Sequence, residues 1–243
     1  TFPQAIDYAV SPFLSLTHGN LQDSWKKIGD VWPDDNRDSI PVIPQILGKE
    51  PEEFVALANR LHEVGYEEVN WNIGCPMRRV AHKHRGSGIL PYPQEVDAIL
   101  SQIIPKLNLN LSIKMRLGYN NKDEIFNLIP VLNQYPLKNV TIHPRIGKQL
   151  YSGTVDYETL AQVVPLLHHE VIYNGDINQL EDYIKVKQLF PDVNQVMIGR
   201  GVLRNPSLPQ QIKDYESNTA PHDYKAQTQQ MMLSLLDAIE NKP

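Results

Sequence analysis

The chain contains one cysteine, Cys75, within the segment Asn72-Ile73-Gly74-Cys75-Pro76. Gly74 permits a tight turn and Pro76 prevents a helix from starting at once, so the segment predicts a cysteine presented on a loop. A free cysteine is most often a small buried apolar residue, whereas a loop thiol can act as a nucleophile or as an acid. The segment does not choose between these roles. A single cysteine also excludes an internal disulfide, and no metal site is expected.

Two cations, Lys114 and Arg116, alternate with the apolar residues Ile113, Met115 and Leu117. In a β-strand this spacing points both cations to the same face. Inward-facing cations are costly unless an anion or an electron-rich ring meets them, so the pair indicates a binding site for such a ligand. A buried lysine can also form a Schiff base, and a lyase that uses Lys114 in this way is one alternative.

Two glycine-containing segments stand near the end of the chain, Asn174-Gly175-Asp176 and Gly199-Arg200-Gly201. Glycine lets the backbone approach a phosphate group closely, and an arginine can pair with that group. Each segment alone resembles an ordinary turn, but together they indicate a phosphate site for a flavin mononucleotide or a sugar phosphate. The segment His143-Pro144-Arg145 is a further candidate, although a lone histidine at a strand end is more often structural than catalytic.

These candidates follow short apolar runs that alternate with amphipathic segments. The predicted strands are Tyr8–Leu14, Pro41–Leu47, Glu68–Asn72, Leu111–Met115, Asn139–His143, Val171–Asn174 and Gln195–Ile198. The predicted helices between them are Pro51–Val64, Pro93–Ile104, Lys122–Asn133, Tyr157–Leu167 and Ile177–Leu189. Such alternation predicts parallel strands joined by helices. Because polar residues end almost every strand, we predict an α/β fold of the (β/α)₈ TIM barrel type, which gathers all strand ends at one mouth.

Only seven strands can be counted, so the missing first strand is expected to precede Thr1. The barrel is predicted to span residues 1–212. Residues 213–243, with a predicted helix at Tyr224–Asn241, are expected to begin a C-terminal helical region. The polar insertion Thr17–Ser39 is expected to form a loop over the mouth.

The composition, with 41% hydrophobic and 21% charged residues, is typical of a soluble globular protein. Neither a membrane-spanning run nor a secretory signal is recognisable, so a cytoplasmic monomer without membrane contact is expected. The net charge of −5 is unusual for a nucleic-acid binder. A local basic segment nevertheless runs from Arg78 to Arg85, with four cations and no acid.

In order and spacing, these segments resemble the tRNA-dihydrouridine synthase family over most of the chain, from about Tyr8 to Pro206. The resemblance rests on Asn72–Pro76 with Arg85–Leu90, on Lys114–Gly118, on His143–Arg145 with Gln149–Gly153, and on the two glycine segments with Asn205-Pro206. It implies a flavoprotein oxidoreductase that reduces the C5–C6 bond of tRNA uridines to 5,6-dihydrouridine. Hydride would pass from FMN, itself reduced by NADPH, while Cys75 gives a proton to C5.

Carried over by position, the resemblance assigns FMN binding to Gln45, Lys114, His143, Asn174, Gly175, Asp176, Gly199 and Arg200. It assigns substrate binding to Asn72, Arg116 and Arg145, with Arg78 and Arg79 as contacts to the RNA. Pro144 stands where the family has glycine, and the family's first strand and most of its helical domain lack a counterpart. Two alternatives remain: a flavin barrel acting on a free pyrimidine, of the dihydroorotate type, and an inactive RNA-binding fragment.

Overall fold

A computed structural model of the chain describes residues 3–15, 31–33, 40–220 and 222–240. Within them, seven parallel strands form one sheet in sequence order: β1 (Ala9–Ser15), β2 (Val42–Leu47), β3 (Glu68–Ile73), β4 (Asn110–Gly118), β5 (Asn139–Ile146), β6 (Glu170–Asn174) and β7 (Gln195–Met197). All seven predicted strands are confirmed, with bounds within three residues of those predicted.

The helices lie between and after the strands. Within the described residues they are α1 (Pro51–Glu63), α2 (Arg78–Ala81), α3 (Pro93–Ile103), α4 (Glu124–Leu132), α5 (Tyr157–Val163), α6 (Leu180–Leu189), α7 (Arg200–Arg204), α8 (Leu208–Glu216) and α9 (Tyr224–Glu240). The predicted helices are confirmed as α1, α3, α4, α5, α6 and α9, whereas α2, α7 and α8 were not predicted. The boundary expected at residues 212/213 falls inside α8.

Two helices begin later than predicted because carboxylates bind the backbone before them. Helix α4 begins at Glu124 instead of Lys122, since the Glu124 carboxylate accepts hydrogen bonds from the N–H groups of residues 119–121. Helix α6 begins at Leu180 instead of Ile177, because the Asp182 carboxylate accepts from the N–H groups of residues 178 and 179. These N–H groups precede the helices, so the carboxylates hold the preceding segments in turns that compete with a helical conformation.

The sheet curls until side chains bridge its first and last strands. The hydroxyl of Tyr8, just before β1, donates to Oε1 of Gln195 at the start of β7 over 2.8 Å. Beside it, the ammonium of Lys213 on α8 lies 3.0 Å from the Asp7 carboxylate. Neighbouring strands are consecutive in the chain and parallel throughout, as in a (β/α) barrel. The predicted TIM-barrel fold class is confirmed.

Side chains alternate along β3 between the helical layer and the barrel interior. Trp71 faces outward, fully buried, in edge contact with Phe54 of α1, and its indole N–H donates to the carbonyl of Gly48. Asn70 and Asn72 face inward, where they meet polar residues of β2 and β4. The apolar core therefore lies mainly between sheet and helices, while the interior near the mouth is polar.

The loop expected at Thr17–Ser39 lies outside the described residues except for Val31, Trp32 and Pro33. Val31 is fully buried, and its carbonyl accepts a hydrogen bond from the Tyr66 hydroxyl. In the described part of the chain, no helix combines the length and apolar character needed to cross a bilayer.

Candidate active site

Cys75 follows β3 on a loop that is fastened from both sides. The side-chain oxygen of Asn72 accepts hydrogen bonds from the N–H groups of Gly74 and Cys75, each over 3.0 Å. The Cys75 carbonyl accepts from the backbone N–H of Ser87 at 2.9 Å and from its hydroxyl at 3.1 Å. Cys75 is 8% exposed, so the residue is buried on a fixed loop at the mouth. The loop position is the predicted one, and the catalytic role of Cys75 stays a prediction.

Gly86 allows the returning chain to lie directly against Cys75. Its φ is +53°, and a Cβ added there would lie 2.5 Å from the Cys75 carbonyl oxygen and 2.9 Å from the Cys75 Cβ. A side chain would therefore clash with the backbone that presents the thiol, and glycine also tolerates this left-handed conformation without strain. The segment Arg85–Leu90 can therefore pack against the Cys75 loop in this way only with glycine at position 86.

A ladder of amides lines the barrel below Cys75. The Asn72 amide nitrogen donates to Gln45 Oε1 at 2.7 Å, and Gln45 Nε2 donates to Asn70 Oδ1 at 2.8 Å. Asn70 in turn donates to the Ser112 hydroxyl at 3.0 Å. Sequence reasoning missed Asn70 and Ser112, although both lie two residues before predicted site residues on the same strand face. The ladder holds Gln45 and Asn72 in fixed orientations.

Arg116 connects the Cys75 loop to the loop after β5. Its guanidinium donates to the Gly74 carbonyl at 3.1 Å, to the Ile146 carbonyl at 2.9 Å and to the Leu150 carbonyl at 2.6 Å. The residue is 2% exposed, and burial lowers the pKa of its guanidinium to about 10. Arg116 therefore joins three segments of backbone at the mouth.

Lys114 lies between Asn72 and Thr141 in the sheet register, on the same strand face as Arg116. Its half-buried ammonium makes no hydrogen bond or ion pair with any residue that the structure describes. Burial and the neighbouring Arg116 lower the pKa of Lys114 to about 8, while Cys75 acts in the opposite direction. Lys114, Arg116 and Cys75 thus lie within electrostatic reach of one another, and Lys114 keeps its donors for a ligand.

His143 and Arg145 of β5 and Asp176 after β6 form a contact group, in which His143 and Arg145 are buried and Asp176 is partly exposed. Arg145 Nη1 lies 3.1 Å from His143 Nε2, and both terminal nitrogens of Arg145 pair with the Asp176 carboxylate, at 2.9 and 2.5 Å. Burial and three nearby cations lower the pKa of His143 to about 3, so the imidazole is neutral at physiological pH. The Arg145 guanidinium holds the pKa of Asp176 below its usual range.

The two glycine segments complete the mouth. Gly175 has a φ of +155°, and an added Cβ would lie 3.2 Å from the His143 ring, so the backbone passes close to the imidazole. The Asn174 amide donates to the Met197 carbonyl at 2.8 Å and ties the two segments together. An added Cβ on Gly199 would meet nothing within 4 Å among the described residues, which leaves open space beside this segment.

Arg200, the first residue of α7, reaches back over the mouth. Its guanidinium lies 3.6 Å from the Asp176 carboxylate and 4.5 Å from the ring centre of Tyr151. Arg116 lies 5.3 Å from the same ring, so two cations contact this half-exposed tyrosine. Contacts of this kind stabilise a ring by about 0.5–1 kcal/mol each at exposed sites.

Arg78 and Arg79 lie apart from this group, exposed on the short helix α2 that follows the Cys75 loop. Lys83 is exposed beside them, and none of the three forms an ion pair with a carboxylate of the described residues. The structure thus places two of the predicted RNA contacts on the surface next to the mouth. Among the described residues, no cluster of three His, Cys, Asp or Glu residues is arranged to hold a metal ion.

Comparisons with known proteins identify the family. The family model described as dihydrouridine synthase (Dus) matches residues 18–242. The tRNA-dihydrouridine(16) synthase of Neisseria meningitidis serogroup B is 30% identical over 217 residues, which cover 87% of this chain and 65% of that protein. The tRNA-dihydrouridine synthase B of Pasteurella multocida is 31% identical over 167 residues, 68% of this chain and 49% of that protein.

The chain therefore spans about half to two thirds of the length of these curated relatives. Among solved structures, morphinone reductase aligns with 76% of this chain and 53% of its own at 17% identity and a TM-score of 0.47, which is too low to support a functional conclusion. The family model covers almost the whole sequence, including every candidate site residue from Gln45 to Arg200. The chain belongs to the dihydrouridine synthase (Dus) family.

Proposed function

We propose that this chain carries the catalytic part of a tRNA-dihydrouridine synthase, which reduces the C5–C6 bond of a tRNA uridine to 5,6-dihydrouridine. The observation that carries the proposal is the convergence of Cys75, buried on a fixed loop, with the Lys114 ammonium, which has no partner among the described residues, at the mouth of a barrel from this family. The relatives' names supply the substrate class.

FMN is the proposed cofactor, and the residues present suit it. A flavin needs donors beside its electron-rich pyrimidine edge, and Lys114 offers an ammonium without a partner in the described structure. Its phosphate needs backbone N–H groups and a cation, which Gly175, Gly199 and the half-exposed Arg200 supply. Bound FMN would supply the hydride for uracil C6, and NADPH is the proposed reductant, as in the family.

Cys75 is the proposed acid that protonates C5. Its loop is fixed through Asn72, Ser87 and Gly86, so the thiol would keep its position when a uridine enters. His143, with a pKa of about 3, lacks the imidazolium proton that could serve as an acid near neutral pH. Lys114, with a pKa of about 8, can restore a proton to the thiolate or hold a negative charge beside it.

Both polar side-chain atoms of Asn72 have protein partners, and Nε and Nη1 of Arg116 donate to three carbonyls. We therefore propose that they act on the substrate mainly by holding the Cys75 loop and the Tyr151 loop in place. Arg78 and Arg79 are the proposed contacts to phosphates of the RNA, since they are exposed next to the mouth and form no ion pair with a carboxylate of the described residues. A base reduced at its C5–C6 edge must leave its stack to reach Cys75.

The experiment that tests the proposal is Cys75→Ala. Removal of a general acid costs about 100-fold or more in rate, so dihydrouridine formation should fall by at least that factor. Flavin absorption of the purified protein should remain unchanged, because the thiol is not needed to bind FMN. The measurement is the two-dalton mass gain of tRNA incubated with NADPH. Full activity of Cys75→Ala would refute Cys75 as the acid.

The same assay separates the alternatives. Reduction of free uracil or orotate without reduction of tRNA would identify an enzyme of the dihydroorotate type. A colourless protein that binds tRNA in a salt-dependent manner would identify an RNA-binding fragment. For the RNA contacts, the double variant Arg78→Ala/Arg79→Ala should release about two fewer counterions on tRNA binding, which is read from the slope of log affinity against log salt concentration. Lys106→Ala, exposed at the opposite end of the barrel, is the control and should leave this slope unchanged.

A further inference from the structure

The contact between Arg145 and His143 fixes which imidazole nitrogen carries the proton. Arg145 Nη1 lies 3.1 Å from His143 Nε2. A guanidinium has only donors, and it stays charged in proteins. The Nε2 atom must therefore accept the hydrogen bond, and the single proton of the neutral ring must be on Nδ1.

Arg145 itself has no donor left for a ligand. A guanidinium has five N–H groups. Nε donates to the Ser152 carbonyl, Nη1 to His143 and Asp176, and Nη2 to Asp176 and the Gly153 carbonyl. The residue is 2% exposed, so these partners also hold it in place.

Asp176 keeps Arg145 in this position. Its two carboxylate oxygens accept from the two terminal nitrogens in a bidentate pair, and its backbone is in the left-handed region, with a φ of +42°. Aspartate tolerates this conformation better than most residues. Gly175 packs against the His143 ring. The loop after β6 therefore holds both Arg145, through Asp176, and His143, through Gly175.

The Nδ1–H of His143 is left without a hydrogen-bond partner among the described residues. The groups that act electrostatically on the ring are Arg116, Lys114, Arg145 and Asp176, so three cations oppose an additional positive charge there. The ring thus remains a neutral donor. Lys114 on the neighbouring strand is the second donor without a partner in the described structure.

We propose that Arg145, held by Asp176, is a positioning residue that keeps His143 in its Nδ1–H form, and that this N–H donates to an acceptor atom of the planar heterocycle bound at the mouth. Arg145 and Asp176 then contact neither cofactor nor substrate. This differs from the substrate role expected for Arg145 and the cofactor role expected for Asp176. The identity of the heterocycle, a flavin or a uracil, rests on the function proposed above.

The test is ¹⁵N NMR of the histidine rings in the protein freed of flavin. Two-bond couplings between ring nitrogens and ring protons distinguish Nδ1–H, Nε2–H and imidazolium. The His143 signal is identified by its loss in His143→Gln. The expected result is a single Nδ1–H species from pH 5 to pH 8. An Nε2–H or imidazolium form in this range would overturn the proposal.

The double variant Arg145→Met/Asp176→Asn removes the donor and its counter-charge together, so neither charge is left buried alone. Free histidine favours the Nε2–H form, and His143 should revert to it as the majority species in this variant. Arg145→Lys, which retains a donor, should keep Nδ1–H as the majority form. An unchanged Nδ1–H form in the double variant would show that Arg145 does not set the tautomer.

Wild-type spectra decide the proposal even if the double variant does not fold. The readout also separates this proposal from the proposed function, because the tautomer is measured without cofactor. A colourless protein with Nδ1–H at His143 would leave the positioning role in place and refute the flavin assignment. Flavin absorption together with Nε2–H at His143 would support the flavin assignment and refute the positioning role of Arg145.

Discussion

The two ends of the barrel differ in how their polar and charged side chains are paired. At the base, where the strands begin, the acidic side chains have partners: Lys138 pairs with buried Glu68 at 2.6 Å, and Gln195 hydrogen-bonds both Tyr8 and Glu170. At the mouth, Lys114, Arg116 and Arg145 lie around His143, and Arg200 lies near Asp176; in the described structure the only ion-pair partner of these four cations is the carboxylate of Asp176. The base closes the sheet, whereas the mouth holds excess positive charge that suits an electron-rich or anionic ligand.

Positive φ values are also found at the mouth, and among the described residues they occur elsewhere too, as at Gly65 and Asn218. Leu150 and Asp176, both at the mouth, have positive φ values of 52° and 42°. The φ angles of Gly86 and Gly175 at the mouth are also positive. Non-glycine residues adopt this region only where the surroundings hold them there, and such residues cluster at functional sites. Arg116 binds the Leu150 carbonyl and Arg145 binds Asp176, so the two buried arginines are what hold these conformations. These hydrogen bonds therefore hold backbone conformations that are unfavourable in free energy by themselves.

The largest effect is expected for Arg116→Met. Three carbonyls, of Gly74, Ile146 and Leu150, would lose their donor, and the free energy of unfolding should fall by about 3 kcal/mol. Urea denaturation measures this change. Arg60→Met is the control: Arg60 is exposed on α1, where it pairs with Glu63, and its loss should cost about 0.5 kcal/mol or less. Equal costs for both variants would contradict the role of Arg116 in fastening the mouth.

Lys114→Met should change the free energy of unfolding in the opposite direction. The substitution removes a cation whose burial lowers its pKa to about 8, so the free energy of unfolding should rise by about 1–3 kcal/mol. The same protein should lose flavin absorption, because the ammonium without a partner in the described structure is gone. Urea denaturation and the visible spectrum give both readouts. A destabilised protein that stays yellow would mean that Lys114 has a structural role instead.

The affinity for FMN should depend on pH through the same lysine. Since the pKa of Lys114 in the free protein is about 8, its charge is present below pH 8 and is lost as the pH rises above it. The dissociation constant should increase by up to about tenfold per pH unit above 8, until the pKa in the complex is reached. Quenching of flavin fluorescence from pH 6.5 to 9.5 measures it. Lys114→Arg should flatten the curve, and a flat wild-type curve would exclude this electrostatic contribution.

The smallest effect is expected at the base, for Glu68→Gln. Lys138 is half-exposed and stays hydrated without its partner, while the buried carboxylate no longer has to be desolvated. The two changes oppose each other, so the free energy of unfolding should shift by less than about 1 kcal/mol. FMN affinity should not change. A loss of flavin in this variant would contradict the separation of the two ends.

Much of the fold was readable because its signals are local. The alternation of apolar runs with amphipathic segments gave all seven strands, and polar residues at their ends indicated one shared mouth. Helices α2, α7 and α8 were missed, since the first two have only four and five residues and carry no amphipathic period. The starts of α4 and α6 were misplaced because carboxylates within the helices extend a turn ahead of them.

The sequence by itself determined which residue types reach the mouth: a thiol, three amides, four cations, a carboxylate and a histidine, each at or near a strand end. Only the tertiary structure decided how they share their hydrogen bonds. Arg116 turns to three carbonyls, Arg145 and Asp176 turn to each other, and Lys114 alone among these cations is left without a partner in the described structure. The reason is physical: strand periodicity sets the face on which a side chain lies, whereas its partners come from segments brought together by folding.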